Sequence, residues 1–132
     1  MPRRSDARKA ALQMLYLIDI NPDAELDHIQ ASIREKLPKP KLAEFAEQLV
    51  QGVRGGLTEI DQQIERVAEN WRIERMAPTD RNVLRLAIFE MQQLETPAPV
   101  AIDEAIELAR EFGTQNSAAF VNGILDKLIP AE

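Results

Sequence analysis

The stretch APTDRNVLRLAIFEMQQL, residues 77–94, decides the fold class, because its apolar residues recur at helical spacing and do not alternate. Pro78 suits the first turn of a helix, where its missing N–H needs no partner. Thr79 and Asp80 follow, and such side chains satisfy free first-turn amides and complement the positive end of the helix dipole. We therefore predict a helix that begins near Pro78 and is ended by TPAP, residues 96–99.

The segments on both sides of this helix repeat apolar residues at the same spacing, and no convincing stretch alternates with period two. Gly55 and Gly56 separate a third helix from a fourth, since glycine ends a helix without steric cost. Toward the C-terminus, Gly113 ends a sixth helix, and TQNS, residues 114–117, offers capping side chains for a last one. We predict an all-α fold of seven helices.

The length of 132 residues is that of one domain. We expect a single domain over residues 1–132, in which a three-helix bundle, residues 1–55, packs on a four-helix segment, residues 56–132. Neither part alone would bury much core.

Two single residues, Trp71 and Gly123, carry specific expectations. Trp71 continues the apolar stripe of the fourth helix, so we expect it in the core. Gly123 lies inside the last helix, where glycine costs about 1 kcal/mol relative to alanine. Close packing of another helix is the favoured explanation, and the approach of a partner to the backbone is the alternative.

The composition argues against catalysis and against a metal or cofactor site. The chain has no cysteine, which excludes disulfides and thiolate chemistry and fits a reducing cytoplasm. Its only histidine, His28, has no ligand partner at metal spacing, and no glycine loop binds phosphate. Nowhere do 18 apolar residues stand together, so we expect neither export nor membrane insertion. We predict a cytoplasmic protein that is not an enzyme.

The N-terminus has the opposite sign of charge from the rest of the chain. Residues 1–9 contain four cations and one carboxylate, which sum to +3 in a chain of formal net charge -6, so the other 123 residues carry -9. This asymmetry indicates a docking site for an anionic partner. The four cations are Arg3, Arg4, Arg8 and Lys9.

A helical projection of the first helix separates an apolar from a polar side. Tyr16, the only tyrosine, falls near Lys9 on the polar side, and Arg8 lies at its edge. Cations with an interleaved aromatic ring are what single-stranded nucleic acid requires. A frayed basic terminus with a half-buried Tyr16 is the alternative. The apolar side comprises Ala7, Ala10, Ala11, Met14, Leu17 and Ile18, and the polar side Ser5, Lys9, Gln13 and Tyr16.

Four stretches together resemble the NusB transcription antitermination family. They are ARKAALQMLY (7–16), VLRLAIFEM (83–91), PVAIDEAIELAREFG (99–113) and SAAFVNGILDKL (117–128). The resemblance implies an all-α protein of two bundles that has no catalytic activity. It also implies binding of boxA RNA, notably in ribosomal RNA leaders, together with NusE, a small-subunit ribosomal protein. This pair joins NusA and NusG on RNA polymerase and suppresses premature termination.

The resemblance further implies which residues bind. Asp80 matches a position of the NusE contact, and Asn116 is neutral where the family can have a carboxylate. Tyr16 and Phe120 are expected on opposite sides of one RNA groove, although Phe120 also fits a buried pair with Ile124. The residues implied for RNA binding are Arg4, Arg8, Tyr16 and Phe120, with Arg3, Lys9 and Asn116 beside them.

Between residues 90 and 111, six carboxylates face one cation, Arg110. They indicate either a solvated helix face or an electrostatic match for a basic ribosomal protein. The six are Glu90, Glu95, Asp103, Glu104, Glu107 and Glu111.

Two other functions remain open at this point. One is a homodimeric protein-binding scaffold that uses the basic helix as its interface. The other is a stand-alone relative of the all-α domains attached to RNA cytosine methyltransferases, although no glycine-rich nucleotide loop is present.

Overall fold

The computed structural model describes residues 3–69 and 71–129. Within these ranges the chain forms seven α-helices and no strand, which confirms the predicted class and helix count. A short 3-10 turn, Ile73–Arg75, precedes the fifth helix. The helices are α1 (Arg4–Ile20), α2 (Leu26–Lys36), α3 (Pro40–Gly55), α4 (Leu57–Val67), α5 (Pro78–Gln93), α6 (Ala98–Phe112) and α7 (Ser117–Leu128). No helix in the described ranges is both long and apolar enough to span a membrane.

Helix α5 is the centre of the fold. It packs against α1, α3, α4, α6 and α7. Every residue from 82 to 90 is buried, including Asn82, Arg85 and Glu90. A helix covered on all sides cannot turn its polar residues toward water, so these three must find partners inside the protein.

The buried apolar side chains form one continuous core, to which residues of both predicted halves contribute. Helix α5 lies in the second half, yet it packs on α1 and α3 of the first. The division into residues 1–55 and 56–132 stays a prediction.

Two expectations about single residues are wrong. Trp71 is 48% exposed, because α4 ends at Val67 and the apolar stripe of that helix does not reach it. Its ring packs edge to face on Phe120 of α7, with the centroids 5.9 Å apart. Gly123 is exposed, and a Cβ there would meet no atom of the described residues within 4 Å, so close packing of another helix does not explain it.

The buried side of α1 differs from the predicted stripe. Leu17 is exposed, whereas Arg8, Leu12 and Leu15 are buried with the expected alanines. The reason is that α1 contacts α2, α3 and α5, so the buried arc is broader than one neighbour would produce and is turned toward Arg8.

Gly52 of α3 lies against the ring of Phe89 on α5, and a Cβ at this position would overlap that ring. We expect Gly52→Ala to lower the free energy of unfolding by about 1–3 kcal/mol, the usual cost of overpacking. Gly55→Ala on the same helix is the matched control, since its Cβ would meet nothing within 4 Å in the part of the chain that the structure describes. Urea unfolding of both variants measures the difference, and equal stability of the two would contradict the close approach of α3 and α5.

Candidate nucleic-acid interface

The first turn of α1 presents two arginines to solvent. The Asp6 carboxylate accepts a hydrogen bond of 2.7 Å from the backbone N–H of Arg3 and so stabilises the start of the helix. Arg3 and Arg4 are both exposed. The guanidinium carbon of Arg4 lies 4.6 Å from the ring centroid of Phe45 on α3, a cation–π contact. Helix α3 thus orients Arg4 while its charge stays accessible.

Arg8 faces the interior, which corrects the expectation that it lies at the edge of the polar side, and its RNA contact stays a prediction. Its Nε and Nη2 donate hydrogen bonds of 2.7 and 2.8 Å to the two carboxylate oxygens of Glu90 on α5. The exposed fractions of the two side chains are only 6% and 2%. Burial disfavours the charged guanidinium, but Glu90 and Glu104 outweigh this effect, and the pKa of Arg8 lies above its ordinary value.

Carboxylates of α6 approach the polar side of α1. Glu111 lies 3.3 Å from the ammonium of Lys9, and Glu104 accepts a hydrogen bond of 2.9 Å from the Ser5 hydroxyl. The predicted acidic run is therefore not one solvated face. Glu90 is buried against Arg8, and Glu107 pairs with Arg110 on its own helix.

Tyr16 is 37% exposed and lines a cavity of about 440 Å³. Phe112 at the end of α6, Lys36 at the end of α2 and Thr79 at the start of α5 line the same cavity. Tyr16 therefore sits where three helices end or begin, immediately beside the turn that carries Asp80.

The start of α7 places the other predicted RNA residues. Asn116 is exposed, and the buried Ser117 accepts a hydrogen bond of 2.9 Å from the backbone N–H of Thr114, which shapes the turn. Phe120 is half-buried: it packs on the core and on Trp71, so its two predicted roles are both still open. Its neighbours differ from those of Tyr16, and the shared RNA groove stays a prediction.

Asp80, the residue predicted to bind NusE, is half-buried. Its Oδ1 is shielded from solvent and has no hydrogen-bond partner among the described residues. An unsatisfied buried acceptor costs about 1–3 kcal/mol.

A second polar cluster, at the other end of α1, was missed from the sequence. Asp19 accepts hydrogen bonds of 2.6 and 2.8 Å from Arg81 and one of 2.8 Å from Asn82. Arg85 bridges Asp19 and Asp61 of α4. Burial alone would raise the pKa of Asp19, but these donors and cations outweigh it and the pKa is lowered. Two arginines four residues apart in one helix, Arg81 and Arg85, were the available signal in the sequence.

Comparisons with known proteins agree on one family. The profile described as NusB family matches residues 5–130. The transcription antitermination protein NusB of Anaeromyxobacter dehalogenans (strain 2CP-1) is 45% identical over 127 residues, covering 96% of this chain and 89% of that protein.

Solved structures share the fold. NusB of T. maritima has a TM-score of 0.86 and 37% identity, and the match covers 96% of this chain and 90% of that one. A chain in the crystal structure of the antitermination factors NusB and NusE in complex with dsRNA has a TM-score of 0.85 and 27% identity, covering 95% and 94%.

We expect Arg8→Met to reduce the free energy of unfolding by about 3–5 kcal/mol, because it leaves the Glu90 carboxylate buried without a cation. Lys9→Met on the next position removes an exposed pair and is expected to cost no more than about 1 kcal/mol. The double variant Arg8→Met/Glu90→Met is expected to regain most of the loss. Guanidinium unfolding compares all three, and a loss no larger for Arg8→Met than for Lys9→Met would show that the pair does not hold α1.

Proposed function

The chain belongs to the NusB family, and we propose on this premise that it is a transcription antitermination factor that binds boxA-type RNA together with NusE. In this role it helps to suppress premature termination, notably in ribosomal RNA transcription, in an assembly with NusA, NusG and RNA polymerase. It catalyses no reaction. Because its targets are nascent RNA and the transcription machinery, we place it in the cytoplasm.

One observation carries the proposal. The backbone matches a chain of the NusB–NusE–dsRNA complex over 95% of its length, so the likeness includes both α1 and α7, where the implied RNA residues lie. That complex contains double-stranded RNA. The basic and aromatic groups described above also suit single-stranded RNA, because cations contact phosphates and an aromatic ring stacks on an unpaired base.

The RNA surface consists of exposed residues of α1 and of the start of α7. Arg3, Arg4 and Lys9 contact phosphates, which position a strand without reading its sequence. Tyr16 stacks on a base, an interaction that contributes about 1–3 kcal/mol in single-strand binding. Asn116 and Phe120 extend the surface on α7. Arg8 contributes only indirectly, by holding α1 against α5.

The NusE surface begins at Asp80. Its side chain is half-buried and not fully enclosed, and a basic ribosomal protein supplies donors to the accessible part of the carboxylate. Thr79 and Tyr16 line one cavity, so the two proposed binding surfaces adjoin each other.

The function is tested by titrating boxA RNA, a scrambled strand and a duplex, each with and without NusE. We expect Arg3→Gln/Arg4→Gln to weaken binding of all strands. The slope of log affinity against log salt is expected to become less steep by about 1.4, at about 0.7 for each lost phosphate contact.

The matched control for this variant is Arg54→Gln/Arg66→Gln, which removes two exposed charges from α3 and α4. It changes the net charge equally but lies outside the proposed surface. An equal loss of RNA affinity in both variants would show that the change in net charge alone accounts for the effect. Failure of the parent protein to bind any of the RNAs, with or without NusE, would exclude the function itself.

We expect Asp80→Asn to weaken NusE binding severalfold, because the amide replaces one oxygen with a donor of nearly the same size. Asp80→Lys is expected to abolish the contact, since it places a cation opposite a basic protein. Calorimetric titration with NusE measures both, and melting curves control for the loss of a first-turn carboxylate, about 0.3–1 kcal/mol. If the folded Asp80→Lys variant binds NusE with unchanged affinity, Asp80 is not part of the NusE surface.

A further inference from the structure

Helix α6 supplies carboxylates to the side of α1 that is proposed to contact RNA. Glu104 and Glu111 are seven residues apart, two helical turns, and therefore project from the same face. Glu104 contacts Ser5 and lies 3.5 Å from the Arg8 guanidinium, and Glu111 lies 3.3 Å from the Lys9 ammonium. The cations of α1 nearest to α6 thus already have anionic partners within the protein.

The contacts differ in how easily an outside anion replaces them. Arg8 is buried between Glu90 and Glu104, so a phosphate reaches it only if α1 separates from α5. The Lys9–Glu111 pair is open to water, with 43% and 47% of the two side chains exposed. Exposed pairs of this kind are weak and exchange readily. Lys9 is therefore the cation over which the carboxylate and a phosphate compete.

We propose that Glu111 sets the affinity of this protein for RNA by occupying Lys9, so that a phosphate binds there only after displacing the carboxylate. The inference rests on the proposed RNA-binding function and names a residue that limits it. Carboxylate and phosphate oxygens accept the same ammonium hydrogen bonds, and the displaced Glu111 remains as a negative charge beside the strand. Both effects oppose RNA binding in the free protein.

The pair also changes the salt dependence. A phosphate contact made by a free lysine releases a counterion from the RNA, about 0.7 per contact for single strands. When Lys9 leaves Glu111, the freed carboxylate takes up a cation and offsets that release. The parent protein is therefore less salt-sensitive than its number of cations implies.

The experiment is a titration of single-stranded boxA RNA at several salt concentrations with the parent chain, Glu111→Gln, Glu107→Gln, Lys9→Gln and Lys9→Gln/Glu111→Gln. We expect Glu111→Gln to bind about two- to fivefold more tightly at low salt. We also expect a salt slope steeper by about 0.7. In the Lys9→Gln background, Glu111→Gln is expected to produce little gain.

Glu107→Gln is the matched control. It removes the same charge from the same helix one turn away, but its partner Arg110, at 2.9 Å, is on α6 itself. Equal gains in RNA affinity for Glu107→Gln and Glu111→Gln would show a general effect of net charge and overturn the proposal. The full gain in affinity from Glu111→Gln in the Lys9→Gln background would overturn it as well. Tighter RNA binding by Glu111→Gln than by both the parent chain and Glu107→Gln supports it. Absence of binding in every variant rejects the RNA function and the inference with it.

Discussion

The buried ion pair between Arg8 and Glu90 is the contact on which the arrangement of the molecule depends. Helix α5 is covered by five other helices, so a carboxylate on it cannot reach water. An unpaired charge there would be strongly destabilising, and α1 supplies the cation. At the other end of α1, Asp19 meets Arg81, Asn82 and the buried Arg85 in the same way. Two charged contacts, one near each end, fix the rotation and the position of α1 on α5.

The rotation of α1 decides which of its cations are available. With Arg8 turned inward, Lys9 and Ser5 face the carboxylates of α6, and Arg3 and Arg4 are exposed at the first turn. The basic N-terminus is thus divided into a structural cation, a cation held by an exposed pair and two exposed arginines. The local charge available to an anionic ligand is smaller than the count of basic residues implies.

The same packing brings proposed surfaces for two partners together. Tyr16 on α1 and Thr79 on α5 line one cavity, and Asp80 follows directly in the chain. Because α1 and α5 are fixed to each other by buried charges, the distance between these surfaces is set by the core. Phe120 is positioned independently, through α7 and the exposed ring of Trp71.

The amino-acid sequence by itself determined the seven helices, because apolar spacing, prolines and glycines act within one segment: α5 begins at Pro78, and Gly56 separates α3 from α4. It also indicated the family and the exposed residues Arg3, Arg4 and Asn116. Only the tertiary structure decided the roles of Arg8, Glu90 and Trp71. A helical projection considers one helix with one neighbour, whereas α1 packs on three helices and pairs with carboxylates of a fourth, and α5 packs on five. Whether a charge is buried, paired or free depends on those neighbours, and their residues are distant in the sequence.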